Sequence, residues 1–323
     1  MDSLNDPEIG DIEAAVARIA PHVRKTPLIE PADLAGELGL RVAFKCESLQ
    51  DAGAFKSRGA VNAVFALPED AAQRGVATHS SGNHAAALAR AAQRRGIPSF
   101  IVIPHTVPKV KRANVERFGG RVIECEPTLA AREAAAAKVV AETGATFVHP
   151  YDTPLVIAGQ GTIVLELAAT TERPDAILVP VGGGGLLSGT ALAARHRWPG
   201  TRVIGVEPAG ADDAFRSFTS GELHKQPDPR TIADGLRGAL SARTLRLIRA
   251  NADSIVTVQE ASIVAAMRLL FERLKLVVEP SGAVPLAALL EGSVKAKRVV
   301  VVLSGGNVDL EALPWLSQAA ASA

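Results

Sequence analysis

Short apolar segments alternate with alanine-rich segments along most of the 323 residues. The apolar segments are rich in branched aliphatic residues and predict buried strands at 99–103, 121–125, 176–181, 203–206, 254–258 and 299–303. Helices are predicted between them, among others at 85–95, 130–143, 155–170 and 261–275. Parallel strands need a crossover, which is usually a helix, so this alternation predicts an α/β fold with parallel sheets flanked by helices.

The composition agrees with covered parallel sheets. Hydrophobic residues make up 47% of the chain but aromatic residues only 4%, so the core must consist mainly of Ala, Val, Leu and Ile. The chain is long enough to form two domains. Lys and Arg number 35 against 34 Asp and Glu, a formal net charge of +1, which gives no sign of a nucleic-acid or membrane-surface protein.

The cysteines and the N-terminal residues indicate the cellular compartment in which the protein is expected. The two cysteines, Cys46 and Cys125, lie in strand-like segments and form neither a metal-ligand spacing nor a disulfide framework. The first ten residues, MDSLNDPEIG, are acidic and polar rather than typical of a signal peptide. No apolar segment reaches the roughly 20 residues that span a bilayer. We therefore expect a cytoplasmic protein.

The strongest local motif is VPVGGGGLLSGTALAA, from Val179 to Ala194. A predicted strand leads into Gly182, Gly183, Gly184 and Gly185, and a helix follows. Such glycines let the backbone approach a ligand, and successive N–H groups at a helix N-terminus attract an anion. The spacing fits neither G-x-G-x-x-G nor a Walker motif, so the phosphate of a small cofactor is the better interpretation.

Two further turns follow predicted strands. THSSGNHAAALARAA, from Thr78 to Ala92, places Ser80, Ser81, Gly82 and Asn83 at a helix start, where they are either an N-cap cluster or a ligand contact. VVLSGGNVD places Ser304 at the end of a predicted strand. Ligands of open α/β sheets bind at the carboxyl ends of the strands, so a hydroxyl there is well placed to meet one.

A lysine stands between glycines in GAFKSRGA, from Gly53 to Ala60. The preceding RVAFKCESL, residues 41–49, is predicted as a strand, and the following AVNAVFAL, residues 60–67, as a helix. Lys56 is either a solvated turn lysine or a nucleophile that forms a Schiff base. Pyridoxal 5′-phosphate (PLP) needs an amine, an anion site and a partner for its ring nitrogen. Lys56, the glycine run and Ser304 would supply them.

GAFKSRGA, SSGNH, GGGGLLSG and LSGGNVD together give the chain its resemblance to fold type II PLP enzymes. It resembles the serine/threonine dehydratase and serine racemase family, above all the racemase and 3-hydroxyaspartate dehydratase branch, over about Pro21 to Trp315. The resemblance implies a two-domain fold like that of the tryptophan synthase β chain. Residues 1–50 and 146–323 would form the large PLP-binding domain, and residues 51–145 a small, inserted, mobile domain.

The resemblance also implies individual roles. For the cofactor, Lys56 would bind the aldehyde, Phe55 would pack on the ring, Asn83 would bond the ring oxygen, Ser304 would face the ring nitrogen, and Gly182, Gly183, Gly184, Gly185 and Leu186 would hold the phosphate. For the substrate, the implied contacts are Ser80, Ser81, Gly82, His84, Arg132 and Tyr151. Glu207, the carbonyl of Ala211 and Asp213 match the divalent-metal site of racemase-like members, so we expect Mg²⁺, or Ca²⁺ or Mn²⁺.

The implied reaction is α,β-elimination of water from a β-hydroxy amino acid, which gives a 2-oxo acid and ammonia. L-Serine, L-threonine and 3-hydroxyaspartate stay open as substrates. Ser81, on the ring face opposite Lys56, would allow serine racemisation as an alternative. Tyr151 and Gly238 stand where animal racemases carry asparagine and serine, which disfavours a dedicated serine racemase.

Two other functional classes of this fold fit the sequence less well. A β-replacement synthase on the same fold usually carries an asparagine-bearing lysine motif, which this chain lacks. A non-catalytic binding protein of this fold should lack the lysine. The expected partners are a small amino-acid substrate and a second copy of the chain in a homodimer, with no nucleic acid and no membrane.

Overall fold

The computed structural model describes residues 5–107 and 109–316. Its α-helices are α1 (Ile9–Ile19), α2 (Ala32–Leu38), α3 (Lys56–Phe65), α4 (Glu69–Arg74), α5 (Asn83–Arg95), α6 (Lys109–Arg117), α7 (Leu129–Thr143), α8 (Pro154–Ala168), α9 (Gly185–Arg197), α10 (Asp213–Ser220), α11 (Ala242–Asn251), α12 (Glu260–Leu274) and α13 (Pro280–Leu290). Its strands are β1 (Leu28–Ile29), β2 (Arg41–Cys46), β3 (Val76–His79), β4 (Ser99–Pro104), β5 (Arg121–Cys125), β6 (Thr146–Phe147), β7 (Ala176–Pro180), β8 (Arg202–Pro208), β9 (Ser254–Val258) and β10 (Arg298–Leu303).

The larger sheet has six strands in the order β1-β2-β10-β7-β8-β9. The short β1 runs antiparallel to β2, and the other neighbouring strands pair in parallel. Alternate residues of β10 enter opposite hydrophobic clusters, with Val299 and Val301 on one face and Val300 and Val302 on the other. Both faces of this sheet are therefore buried, as an almost continuous aliphatic strand sequence requires.

The smaller sheet has four parallel strands in the order β5-β4-β3-β6. Its strands come from residues 76–147, so its last strand begins just past the predicted boundary at 145. The predicted α/β fold with parallel sheets flanked by helices is confirmed, whereas the division into a large domain and a mobile small domain stays a prediction.

The segment around Lys56 differs in detail from the sequence prediction. The strand predicted for 41–49 ends at Cys46, and Glu47–Leu49 form a 3₁₀ turn. The physical reason is Glu47, whose buried carboxylate accepts hydrogen bonds from the Arg58 guanidinium at 2.7 and 2.8 Å. A strand would carry that carboxylate away from its partner. Helix α3 begins at Lys56, four residues before the predicted start at 60.

Helix α3 is held against α8 at very short range. A Cβ built on Gly159 would lie 2.6 Å from the Gly59 Cα, so only glycine permits this crossing. Arg58, also in α3, donates to Glu166 of α8 at 2.7 Å. The close crossing and the buried ion pair together fix where the first turn of α3, and hence Lys56, can lie.

In the part of the chain that the structure describes, no helix is long and apolar enough to cross a membrane.

Candidate active site

Lys56 lies at the first position of α3, with its side chain half-buried. Its Nζ donates a hydrogen bond to the Pro150 carbonyl at 2.7 Å and stands 5.1 Å from the centre of the Phe55 ring. Burial lowers the pKa of the Lys56 amine to about 8. A much larger fraction of this amine is therefore unprotonated near neutral pH than of an ordinary lysine, as a nucleophile or base requires.

The loop before Lys56 is joined to the end of β10. The Phe55 N–H donates to the Ser304 carbonyl at 2.9 Å, and Ala54 forms an antiparallel bridge with Gly305. Ser304 itself is buried. Two motifs that are far apart in sequence, GAFKSRGA and LSGGNVD, thus form one wall of the site.

The glycine run lies between β7 and α9, and helix α9 begins at Gly185. Gly184 has φ +86°, a conformation that other residues rarely adopt. A Cβ on Gly182 would lie 2.8 Å from the Leu236 Cα, and one on Gly183 would overlap the Tyr151 ring. These glycines therefore form a backbone cradle that side chains would fill, at a helix N-terminus suited to a phosphate.

Asn83 is the first residue of α5 and lies next to Ser304's loop. Its Nδ2 donates to Glu279 at 2.6 Å, and its Oδ1 accepts from Asn307 Nδ2 at 2.9 Å. A Cβ on Gly305 would lie 3.1 Å from Asn83 Nδ2. The amide is thus fixed beside the wall formed by Ser304 and Lys56, and its second Nδ2 hydrogen is not used in these contacts.

The other SSGNH residues surround the start of α5. Ser80, Ser81 and Gly82 are half-buried between β3 and α5, where Gly82 is the N-cap residue. His84 is buried, and its Nε2 donates to the Val148 carbonyl at 3.1 Å. Burial, together with the positive charge of Lys56, lowers the pKa of His84 to about 3, so this imidazole is neutral.

Arg132 lies in the first turn of α7 and is half-buried. Among the described residues it has no carboxylate within ion-pair distance, and its buried Nε has no hydrogen-bond partner. Burial lowers the pKa of His79, the residue before Ser80, and the positive charge of Arg132 lowers it further. An unpaired guanidinium near the SSGNH turn is a candidate for binding an anionic group of a ligand.

Glu207 lies near the end of β8, and Ala211 and Asp213 follow it in the turn to α10 and at the first position of that helix. Glu207 is buried and accepts from the N–H groups of Ala214 and Phe215 at 3.0 and 2.8 Å. Both carboxylate oxygens of Asp213 are buried without a partner among the described residues. Burial raises the pKa of Glu207 to about 9 and that of Asp213 to about 6. Orphaned carboxylate oxygens of this kind fit a bound cation.

Sequence reasoning missed Pro150, Glu279 and Asn307, although all three contact predicted site residues. Asn307 belongs to the LSGGNVD motif, and Pro150 precedes the predicted Tyr151, so both were within reach of the motif analysis. Glu279 lies outside every motif, so no sequence pattern pointed to it.

A family model described as "Pyridoxal-phosphate dependent enzyme" matches residues 19–305. The chain belongs to this family. Membership confirms the predicted PLP-dependent enzyme and its cofactor, and agrees with the glycine cradle and the half-buried Lys56.

Relatives and solved structures of this PLP-dependent family match almost the whole chain. A beta-hydroxyaspartate dehydratase of Paracoccus denitrificans is 50% identical over 96% of this chain and 99% of its own length. A serine racemase of Arabidopsis thaliana is 48% identical over 95% of each chain. The structure of maize serine racemase superposes with a TM-score of 0.94 at 43% identity, covering 98% of each chain. These matches confirm the predicted family branch.

Proposed function

We propose that this enzyme is a PLP-dependent dehydratase of β-hydroxy amino acids, with 3-hydroxyaspartate as its preferred substrate. The observation that carries the proposal is the position of Lys56. Its Nζ donates to the Pro150 carbonyl, next to the Tyr151 ring that lies against Gly183, and the backbone just before it bonds Ser304. The names of the relatives support dehydratase or racemase chemistry.

The residues present fit PLP. Gly182, Gly183, Gly184 and Gly185, with Leu186, would hold the phosphate through backbone N–H groups, because the cradle has no room for side chains. Lys56 would bind the aldehyde, Phe55 and Asn83 would contact the ring, and Ser304 would face its nitrogen. When bound, the cofactor withdraws electrons from the substrate amine and so acidifies the Cα proton.

This chain's own residues would then carry out the proton transfer. The freed Lys56 amine would take the Cα proton, and the ammonium so formed would give that proton to the β-hydroxyl, which leaves as water. Hydrolysis of the product, which consumes one water, would give a 2-oxo acid and ammonia. Ser304 would offer a neutral hydroxyl to the ring nitrogen. A hydroxyl cannot keep that nitrogen protonated, as a carboxylate would. This favours elimination, in which the leaving group takes the electrons.

Arg132 favours 3-hydroxyaspartate over serine and threonine. The side-chain carboxylate distinguishes that substrate, and a planar guanidinium without a protein partner suits it. The name of the Paracoccus denitrificans relative points to the same compound. Ser80, Gly82, His84 and Tyr151 would complete the contacts to the substrate.

The test is ammonia release from the 3-hydroxyaspartate isomers, L-serine, D-serine and L-threonine. We expect kcat/KM to be highest for a 3-hydroxyaspartate isomer. Arg132→Met should lower that value by about 10- to 100-fold, the loss of one charge-assisted hydrogen-bonding pair, and change the value for serine far less. Lys138→Met removes an exposed charge from the same helix and is the matched control. An equal loss for both substrates would contradict the assignment of Arg132.

Serine racemisation is the second candidate function. Ser81 supports it, because a hydroxyl on the face opposite Lys56 can exchange a proton at Cα, and the plant relatives are named serine racemases. Measurement of D-serine formed from L-serine in the same assays separates the two functions.

The cation is a further part of the proposal. Glu207, the Ala211 carbonyl and Asp213 would bind Mg²⁺, Ca²⁺ or Mn²⁺ and hold the start of α10. EDTA should lower the melting temperature and the activity together, because a ligand that binds only the folded state stabilises it by mass action. Asp213→Asn should abolish this response, whereas Asp212→Asn, at the neighbouring half-exposed carboxylate, should keep it. A melting curve of metal-loaded protein that EDTA leaves unchanged would refute the site.

The homodimer and the cytoplasmic location stay predictions.

A further inference from the structure

The turn that connects β6 to α8 is built around one imidazole. His149 Nδ1 accepts the N–H of Asp152 at 2.9 Å and that of Tyr151 at 3.4 Å. A side-chain acceptor thus binds backbone donors two and three residues ahead, as an aspartate or asparagine does in an Asx turn. Pro150 stiffens the same turn, because its ring fixes φ and restricts the residue before it.

The hydrogen bonds define the protonation state of His149. An Nδ1 that accepts from backbone N–H groups must carry a lone pair, so the ring proton is on Nε2. The charged and titratable groups that act on the ring are His79, Tyr151, Asp152, Lys56 and Arg243. Burial lowers the pKa of His149 to about 4. Asp152 raises this pKa, whereas His79, Lys56 and Arg243 lower it. The ring therefore stays neutral through the physiological range.

The His149 turn carries contacts on three sides. Its Pro150 carbonyl accepts the Lys56 Nζ at 2.7 Å. Its Tyr151 ring lies against Gly183 in the glycine run. Its Asp152 carboxylate accepts from Arg243 of α11 at 2.7 Å. A change in this turn would therefore move the Pro150 carbonyl, which accepts the Lys56 hydrogen bond, relative to the glycine run.

We propose that His149 is a positioning residue, whose Nδ1 shapes the turn that presents the Pro150 carbonyl to Lys56. The inference rests on the proposed role of Lys56. The Pro150 carbonyl can accept one N–H of the free Lys56 amine. This hydrogen bond fixes the direction of the nitrogen lone pair, which takes the Cα proton. His149 thereby sets the direction of the base without touching substrate or cofactor.

The shape of the side chain gives a matched pair of variants. In asparagine the acceptor Oδ1 is bonded to Cγ, as Nδ1 is in histidine, so His149→Asn keeps an acceptor at the required place. In glutamine the acceptor lies one bond farther out, close to where Nε2 lies, so His149→Gln keeps the polarity but loses the bond. His149→Leu removes every acceptor.

We expect His149→Asn to keep kcat within about threefold of wild type. His149→Gln and His149→Leu should lower kcat by about 10- to 100-fold with much smaller changes in KM, because misdirection of the base affects the reaction step more than binding. Equal losses in the Asn and Gln variants, at equal melting temperatures, would overturn the proposal.

A second readout needs no turnover. In cofactor-free protein, the pH dependence of Lys56 labelling by an amine reagent, followed by peptide mass spectrometry, reports the pKa of the amine. A carbonyl stabilises the ammonium form more than the free amine, so loss of the presented carbonyl should lower this pKa by about 0.5 to 1 unit in the Gln variant but not in the Asn variant. The same labelling profile in both variants would contradict the proposal, whatever the outcome for the substrate.

The wild type provides a test that does not depend on folding of the variants. The ¹⁵N chemical shifts of the His149 ring should report the Nε2–H tautomer from about pH 6 to 9. A protonated Nδ1 in this range is incompatible with the turn and would refute the inference.

Discussion

Lys56→Ala is expected to abolish turnover, with a loss beyond about 10⁴-fold, because one substitution removes both the covalent anchor of the cofactor and the base. The variant should also lose the visible absorbance band of a lysine-bound cofactor. The Pro150 carbonyl would lose its donor, but the helix that carries position 56 is held by Gly59 and Arg58, so the fold should persist. Ammonia release and the absorbance spectrum are the measurements.

Lys56→Arg is the matched control for charge. Arginine keeps the positive charge on a slightly longer side chain but stays protonated at every assay pH, so it can serve neither as nucleophile nor as base. We expect it to be as inactive as the alanine variant. Near-wild-type ammonia release in either variant would show that another group does the chemistry.

Ser81→Ala is expected to separate the two faces of Cα. Lys56 reaches one face, which suffices for elimination from an L-substrate, whereas racemisation and elimination from D-serine need a proton donor or base on the other. Loss of a positioned acid–base group costs about 10²- to 10⁴-fold, so D-serine reactions should fall by that factor and elimination from an L-substrate by much less. The ratio of the two rates in one variant is the measurement.

Ser80→Ala is the comparison for Ser81. It removes the neighbouring hydroxyl in the same half-buried turn, where Ser80 Oγ accepts from the Gly82 N–H at 3.5 Å, and should affect both rates alike. If Ser81→Ala also lowers both rates by one factor, Ser81 contributes to binding or cofactor geometry, and the two-face mechanism does not apply to this enzyme.

The sequence predicted the α/β fold because its signal is local. Each aliphatic strand and alanine-rich helix carries its own periodicity, and β5 and β9 match the predicted bounds to the residue. The glycine run and Ser304 each follow a predicted strand, and parallel strands place their carboxyl ends at one edge of a sheet, so their place at that edge could be predicted, whereas their roles stay predictions.

The missed residues depend on contacts between distant parts of the chain. Lys56 and Pro150 are 94 residues apart, and Asn83 and Glu279 are 196 apart. The helix and strand periodicity of a sequence carries no information about contacts between residues so far apart. The early end of β2 has the same origin, because the buried partner of Glu47 is Arg58, in a helix that the strand pattern does not contain.

The attachment of the cofactor to Lys56 can be measured directly. Borohydride reduction of the purified enzyme fixes a lysine-bound cofactor in place, and peptide mass spectrometry then identifies the lysine. The account predicts a phosphopyridoxyl group on the peptide that contains Lys56, and none in Lys56→Ala. The same group on a different lysine, or no modified lysine in enzyme that is active and holds PLP, would contradict it.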